Sequence, residues 1–324
     1  MEKGHTIFIG TNGRGLLRSR DGGENWTQIR HNLPRNSQVR ALAVYPSNPH
    51  RILAGTESGM FRSEDNGVTW TKLSWPMETP AVYSIGVDPV DEEVIFAGVK
   101  PAGVFRSSDD GQTWQRLSLE AAEECYIGAP QVTAITVDPQ DHRNIWAGVE
   151  IDGVYRSLDG GESWVHLPSP GKDFMFNDIH DMALQPGRTN SLIISTPLCM
   201  FASGDMGESW QPLLDVRRYR MNHARGVAIK ADDPNVILWA TREFYSSTGA
   251  IQRSTDGGQT WQTCALPVEP NSTMWAFATH PSDPQLVLCT SQLGEVYSSP
   301  DAGDSWQKLR REFSEIQSVA WTPN

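Results

Sequence analysis

The sequence predicts an all-β protein, a seven-bladed propeller built of four-stranded antiparallel blades, and three observations predict it. A Ser-x-Asp-x-Gly-x-(Thr/Ser)-Trp motif occurs seven times, with Asn25 as the exception at its penultimate position. The motif aspartates follow one another at intervals of 44 to 51 residues, a period typical of repeat architectures. Two further apolar runs recur in each repeat, which gives four strands per unit. We therefore expect a single propeller domain over residues 1–324.

Each copy of the motif predicts a turn between the two outer strands of a blade. An aromatic-rich run such as residues 104–107 precedes the aspartate and has strand character. The carboxylate can accept hydrogen bonds from backbone N–H groups that follow it, and the glycine supplies a position with positive φ. Seven equivalent copies cannot all be one active site, so we expect a structural role for the motif aspartates. They are Asp21, Asp65, Asp109, Asp159, Asp205, Asp256 and Asp301.

The two inner strands of each blade are predicted from the runs between motifs. The innermost strands are expected at residues 39–46, 82–89, 132–139, 179–186, 224–230, 274–281 and 316–323. The next strand carries a small-residue step, as at residues 52–56 and 95–99. The chain begins with this second pattern and ends with an innermost pattern that has no partners. We expect the C-terminal strand to pair with the N-terminal strands of residues 5–29, which closes the ring without a free sheet edge.

These repeats resemble the Asp-box (BNR) repeat proteins, a group that includes sialidases, xyloglucan-hydrolysing enzymes, sortilin-type receptors and a photosystem II assembly factor. The resemblance covers essentially the whole chain, and segments such as residues 147–157 look most like bacterial single-domain propellers labelled glycosyl hydrolase-like. It implies the fold and no particular activity. The sialidase Arg-Ile-Pro signature is absent, and the xyloglucan-type enzymes use two propellers, so no catalytic residue is carried over.

Composition restricts the partners. A net charge of −12 argues against nucleic acid and anionic membranes as partners. No apolar stretch approaches 18 residues, and the N-terminus leads directly into the first strand, so we expect neither a membrane span nor a signal peptide. The four cysteines have no metal-binding spacing and suit a reduced, cytoplasmic protein. We expect no cofactor.

The candidate site lies on the face opposite the motif turns, where the loops vary most. The second residue of each innermost strand breaks the apolar pattern, and we expect these residues, with polar neighbours from adjacent turns, to line a pocket at the propeller axis. The predicted substrate-binding residues are Arg40, Glu57, Tyr83, Lys100, Glu150, Asp178, His180, His223, Arg225, Arg242 and Trp275. Guanidinium groups suit a carboxylate or other anion, and the aromatic rings suit stacking on a ring or sugar face.

The sequence therefore favours a propeller that binds a small anionic or sugar-like molecule. If the protein is an enzyme, this molecule is its substrate. Three alternatives remain open. A glycosidase would use carboxylates among Glu57, Glu150, Asp178 and Asp181, with Tyr83 nearby. A metal-assisted hydrolase or lyase would use His180, His223, Asp178 and Glu150. A non-enzymatic assembly platform would dock a protein partner on a basic stretch formed by Arg217, Arg218, Tyr219, Arg220, His223 and Arg225.

Overall fold

Seven separate four-stranded antiparallel sheets form the molecule. The structure is a computed structural model, and it describes residues 4–76, 81–126, 128–215, 221–243 and 248–324. We number the strands β1 to β28 in chain order and call each sheet a blade. The innermost strands of consecutive blades contact one another all the way around, from β4 through β8, β12, β16, β20 and β24 to β28 and back to β4. The predicted seven-bladed propeller is confirmed.

Each blade runs from an innermost strand to a short outer strand. Blade 1 contains β4 (Val39–Val44), β5 (Ile52–Thr56), β6 (Gly59–Ser63) and β7 (Thr71–Lys72). Blade 2 contains β8 (Ala81–Val87), β9 (Ile95–Lys100), β10 (Gly103–Ser107) and β11 (Gln115–Arg116). Blade 3 contains β12 (Val132–Val137), β13 (Ile145–Val149), β14 (Gly153–Ser157) and β15 (Val165–His166). A short 3-10 helix, Phe174–Asn177, leads into blade 4, which contains β16 (Asp181–Leu184), β17 (Leu192–Ser195), β18 (Cys199–Ser203) and β19 (Gln211–Asp215).

The remaining blades follow the same plan. Blade 5 contains β20 (Met221–Lys230), β21 (Asp233–Glu243), β22 (Gly249–Ser254) and β23 (Gln262–Thr263). Blade 6 contains β24 (Met274–Ala278), β25 (Val287–Ser291), β26 (Val296–Ser299) and β27 (Gln307–Lys308). Blade 7 joins both ends of the chain and contains β28 (Ile316–Pro323), β1 (His5–Thr11), β2 (Leu16–Ser19) and β3 (Thr27–Gln28).

The ring closes through blade 7, as predicted. Strand β28 pairs with β1 from Thr11 opposite Ile316 to His5 opposite Pro323. The backbone N–H of Asn324 donates to the Gly4 carbonyl over 3.0 Å. The inner edge of β1 is therefore covered by a strand from the opposite end of the sequence.

The core lies between adjacent blades. Trp146 of β13, for example, is fully buried in a cluster that also contains Ile179, Leu192 and Phe201 of blade 4. Burying the facing surfaces of neighbouring sheets is the main source of stability in this arrangement. Within the described residues, no helix has both the length and the apolar character needed to cross a bilayer.

The seven motif turns share one hydrogen-bond pattern. In the third copy, Ser107 Oγ–H donates to Asp109 Oδ1 over 2.8 Å and accepts from Gly111 N–H over 2.8 Å. Thr113 donates its backbone N–H to Oδ1 over 2.8 Å and its hydroxyl to Oδ2 over 2.6 Å. The other six copies repeat these bonds, with the Asn25 side-chain amide replacing the hydroxyl in the first. Each carboxylate is used within its own turn, which gives these aspartates the structural role expected of them.

Arginines connect five of the seven motif turns to the blade before them. The residue preceding the motif serine is an arginine in five blades, and its guanidinium donates to a backbone carbonyl in the turn of the next blade. Arg156 Nη1, for example, donates to the Met206 carbonyl over 3.1 Å, and its Nη2 lies 2.7 Å from Glu208 Oε1. The equivalent donors are Arg18, Arg62, Arg106 and Arg253. These bonds connect blades whose backbones are not paired with each other.

Candidate functional site

A cavity of about 380 Å³ opens at the propeller axis, and every innermost strand contributes to its wall. The contributing side chains are those at the predicted second position of each strand: Arg40, Tyr83, Thr133, His180, Arg225, Trp275 and Gln317. Asn12 and Glu150, from the turns that follow β1 and β13, add to the wall. The cavity therefore lies on the face opposite the motif turns, as the sequence predicted.

A β-bulge explains why the second position faces the cavity. The pairing register of β4, β8, β12, β24 and β28 with the next strand shifts at this residue, and β20 has a wider irregularity between Ala224 and Val227. A bulge inserts an unpaired residue and re-aims its side chain. This accounts for large polar and aromatic residues at a position where regular alternation would bury an apolar side chain.

Side chains also connect the bulged ends of neighbouring strands. The carbonyl of the first residue in an innermost strand often accepts a hydrogen bond from the blade before. Thr133 Oγ1–H donates to the Ile179 carbonyl over 2.6 Å, and Ser84 Oγ–H donates to the Val132 carbonyl over 2.8 Å. Since the innermost strands of different blades are not paired, these bonds fix the shape of the cavity wall.

Arg225 is the central cation of the cavity. Its guanidinium lies over the Trp275 ring, with 4.3 Å from Cζ to the ring centroid, and its Nε–H donates to His223 Nε2 over 3.1 Å. Burial lowers the pKa of Arg225, while the charges of Asp178 and Glu150 raise it. Among the described residues, neither Nη group of Arg225 forms a hydrogen bond or ion pair. Two donors of one rigid fork thus remain for a ligand.

His223 holds this fork in place as a neutral ring. Burial, together with the neighbouring His180 and Arg225, lowers the pKa of His223 to about 3. A neutral imidazole has one acceptor nitrogen, and here it is the Nε2 that receives the Arg225 Nε–H. His223 therefore orients Arg225 without adding a charge of its own at neutral pH.

Arg40 forms a second, similar arrangement across the cavity. Its guanidinium lies over Tyr83 at 4.4 Å from the ring centroid and contacts Gln317 Oε1 over 3.5 Å. Its Nη2–H also donates to Gln38 Oε1, and the Gln38 backbone N–H donates to Glu57 Oε2 over 2.7 Å. Glu57 thus lies outside the cavity and helps to hold Gln38, the residue that contacts Arg40.

Carboxyl groups with raised pKa values share the cavity with these cations. Burial raises the pKa of Glu150, and the nearby Asp178 raises it further, while Arg225 and Lys100 lower it. Burial also raises the pKa of Asp181 to about 6, although backbone N–H groups of Val227 and Met182 donate to its carboxylate over 2.9 Å. Groups that titrate near neutral pH are suited to proton transfer.

His180 and Asp178 are in contact beside the cavity. His180 Nδ1–H donates to the Ala224 carbonyl over 2.5 Å, which leaves Nε2 facing Asp178 Oδ2 at 3.3 Å. Burial and Arg225 lower the pKa of His180, whereas Asp178 raises it. Nε2 of a neutral ring and a carboxylate oxygen are both acceptors, so this contact is favourable only when it holds a proton.

The structure divides the predicted site residues into two groups. Those that line the cavity are Arg40, Tyr83, Glu150, His180, Arg225 and Trp275. The others lie behind the wall or beside it: Glu57, Lys100, Asp178, His223 and Arg242. Arg242, for instance, pairs with His223 across β20 and β21 rather than entering the cavity. The basic residues Arg217, Arg218 and Arg220, with Tyr219, lie outside the described residues.

Three lining residues have no counterpart in the predicted site. Gly226 lies in the wide irregularity of β20, and Ala276 and Phe277 follow the bulge of β24. A two-residue periodicity places Phe277 with the buried positions, and no signal in the sequence marks the bulge that exposes it. Within the described ranges, no group of three or more His, Cys, Asp or Glu side chains is arranged to hold a metal ion.

Comparison with protein families identifies one match over most of the chain. A family profile described as "Sortilin, neurotensin receptor 3" (Sortilin-Vps10) matches residues 58–178 and 200–323. Among curated proteins, the xyloglucanase Xgh74A of Acetivibrio thermocellus is 29% identical over 131 residues, and a xyloglucanase of a Paenibacillus species is 32% identical over 116 residues. These matches cover 36% and 32% of this chain, which spans only 15% and 11% of the two relatives.

Solved structures share the fold at low sequence identity. An ancestral GH74 enzyme has a TM-score of 0.68 and 15% identity, over 88% of this chain and 38% of its own. YCF48 from Cyanidioschyzon merolae has a TM-score of 0.64 and 14% identity, over 92% of this chain and 98% of its own. A YCF48 bound to D1 peptide has a TM-score of 0.60 and 13% identity, over 87% and 84% of the two chains. At these identities, the likeness shows the propeller fold alone.

Proposed function

The chain belongs to the Sortilin-Vps10 family of propellers, and we propose that it is an Asp-box (BNR) member whose axial cavity binds a small carboxylate-bearing molecule of the sugar-acid type. The seven motif turns support the Asp-box assignment. The polar and aromatic wall of the cavity supports the ligand class. The four cysteines, for which no disulfide is found in the described part of the chain, favour the reducing, cytoplasmic compartment that the sequence indicated.

The guanidinium of Arg225 carries this proposal. It is partly buried, it is oriented by Trp275 and the neutral His223, and both of its Nη groups lack a hydrogen bond within the described residues. An arginine fork binds a carboxylate through two parallel hydrogen bonds, and such charge-assisted bonds are about twice as strong as neutral ones. A wall with amide, hydroxyl and aromatic groups suits the hydroxyls and C–H faces of a sugar.

Isothermal titration with uronic and sialic acids tests this function. We expect Arg225→Ala to raise the Kd of a bound sugar acid about 10- to 100-fold, because each hydrogen bond to a charged group contributes about 1.5–3 kcal/mol. Arg225→Lys should recover only part of the affinity, since an ammonium group cannot bind bidentately.

Arg143→Ala is the matched control, because the Arg143 side chain is 69% exposed and pairs with Asp141 in a turn on the opposite face. If Arg225→Ala leaves the Kd unchanged, the proposal that the ligand binds in the axial cavity is refuted. Failure of every sugar acid to bind the wild-type protein would refute the ligand class.

Hydrolysis of a glycosidic bond is a second candidate function, favoured by two carboxyls with raised pKa values, Glu150 and Asp181, in one cavity wall. Glycosidases use such a pair, one protonated and one ionised. If the protein releases nitrophenol from aryl glycosides, we expect Glu150→Gln to lower kcat at least about 100-fold, the usual contribution of a general acid or base. The exposed Glu24→Gln, on the motif-turn face, should leave kcat unchanged. Equal rates in the two variants would contradict this role for Glu150.

A further inference from the structure

Two exposed aromatic side chains meet on the face that contains the axial cavity. Tyr126 is 65% exposed and Phe174 is 61% exposed, yet their ring centroids lie 5.8 Å apart with an interplanar angle of 84°. We call this pair the aromatic corner. A perpendicular pair leaves most of its ring surface outside the mutual contact, so flat apolar faces are presented to solvent. Contiguous exposed apolar surface of this kind commonly marks a binding site.

Local hydrogen bonds hold the aromatic corner in position. Tyr126 occupies a turn closed by two backbone bonds between Cys125 and Gly128, of 2.9 and 3.0 Å. Phe174 begins the 3-10 helix, whose Asp173 cap accepts from the Met175 N–H over 3.1 Å. The Tyr126 hydroxyl lies 3.6 Å from Met175 Sδ and so connects the two segments. Hydrogen bonds of the neighbouring described residues therefore restrain the position of each ring.

The aromatic corner adjoins the cavity. Tyr126 belongs to the crossover that enters β12 through the lining residue Gln131, and the helix of Phe174 runs directly into Asp178 and His180. Partial burial and the carboxyls of Asp178 and Glu150 raise the pKa of Tyr126. A series of contacts also connects the aromatic corner with the cavity: Tyr126 contacts Met175, the Asp178 backbone N–H donates to the Met175 carbonyl over 3.3 Å, and Asp178 contacts the lining residue His180.

We propose, as an extension of the function proposed above, that the aromatic corner is a second subsite that stacks a sugar ring of an acidic oligosaccharide whose terminal carboxylate is bound by Arg225. Aromatic rings offer large, rigid apolar faces at a low entropic cost, and the C–H face of a pyranose is complementary to them. The cavity wall supplies acceptors and donors for sugar hydroxyls through Glu150, Gln131 and Asn12. The curated relatives bear the name xyloglucanase, which is consistent with a saccharide as the occupant.

Titration of matched monosaccharides and trisaccharides tests the subsite. The probes are galacturonic acid with its trimer, glucuronic acid with a trisaccharide that ends in it, and N-acetylneuraminic acid with 3′-sialyllactose. We expect at least one trisaccharide to bind about tenfold more tightly than its monosaccharide, a difference of about 1.4 kcal/mol, because an additional sugar ring stacks on the aromatic corner. The double variant Tyr126→Ala, Phe174→Ala should abolish this gain and leave the monosaccharide affinity unchanged.

Two single variants serve as controls. Tyr126→Phe keeps the ring and should retain the full gain. Val90→Ala removes a side chain that is 64% exposed in the turn between β8 and β9, on the opposite face, and should change neither affinity.

The outcomes separate this inference from the function on which it rests. If monosaccharides bind through Arg225 but no trisaccharide binds more tightly, or if the gain survives in the double variant, the subsite is refuted and the axial site stands. If no saccharide binds the wild-type protein, both proposals are refuted. If a heptapeptide with a free C-terminal carboxylate binds in their place and its affinity depends on Tyr126 and Phe174, the occupant is a peptide and the saccharide proposal is wrong.

Discussion

The glycines of the motif turns each satisfy two independent constraints. Gly161 has a φ of +96°, and a Cβ built on it would lie 2.7 Å from Leu117 Cδ1 of the preceding blade. Equivalent approaches occur at Gly23, Gly67, Gly111, Gly207, Gly258 and Gly303. The sequence predicted the first constraint from turn chemistry. The second involves a leucine or phenylalanine from another repeat, which no local pattern reveals.

Replacing such a glycine should therefore cost more than backbone strain alone. We expect Gly161→Ala to lower the free energy of unfolding by about 2–5 kcal/mol, because a left-handed conformation costs about 1–2 kcal/mol and a steric overlap costs about 1–3 kcal/mol. Urea denaturation measures this change.

The chain provides two controls for this substitution. Gly187 has a φ of +70° with no atom within 4 Å of a built Cβ, so Gly187→Ala reports the strain alone. Gly204 has neither constraint, and Gly204→Ala should be close to neutral. Equal losses at Gly161 and Gly187 would show that the contact with Leu117 contributes nothing.

At the scale of the element, the arginine that precedes five of the seven motif serines connects strands that share no backbone hydrogen bonds. Arg156 is 9% exposed and reaches both a carbonyl and a carboxylate of the next turn. Blades 4 and 6 have Ala202 and Ser298 at the equivalent position, so the fold tolerates two junctions without the arginine. The connection is therefore expected to add stability rather than to determine the fold.

Removing the connection should weaken the junction between blades 3 and 4. We expect Arg156→Met, which keeps the aliphatic stem, to lower the free energy of unfolding by about 1–3 kcal/mol, since the Met206 carbonyl and the Glu208 carboxylate lose a charged donor. Arg143→Met breaks an exposed ion pair and should cost at most about 1 kcal/mol. The urea midpoints of the two variants give the comparison. Indistinguishable midpoints would mean that the interblade bond has no net effect.

At the scale of the whole molecule, the architecture could be predicted from the sequence because the same strand pattern occurs in all seven repeats. If the strand positions are ambiguous in one repeat, alignment with the other six determines them. The axial wall could be predicted for the same reason, since the second residue of an innermost strand departs from the apolar pattern in every blade. The structure then adds the physical cause, which is a bulge at that residue in most blades.

The parts that could not be predicted involve interactions between repeats or between loops. Nothing in the sequence shows that His223 accepts from Arg225, or that Asp178 lies against His180 rather than in the cavity wall. The aromatic corner is likewise hidden, because Tyr126 and Phe174 lie in two crossovers of different length and composition. The fold can be predicted from the positions that the repeats share, whereas the candidate site is formed by the positions at which the repeats differ.

The pairing of β28 with β1 has a consequence for the order in which the molecule is made. Strand β1 is translated long before β28 and can acquire its inner neighbour only after residue 323 has been translated. Throughout synthesis, the nascent chain therefore carries an open row of backbone donors and acceptors on β1, the kind of edge that recruits other chains. The time for which this edge of β1 stays unpaired therefore depends on how quickly the remaining blades are translated and folded.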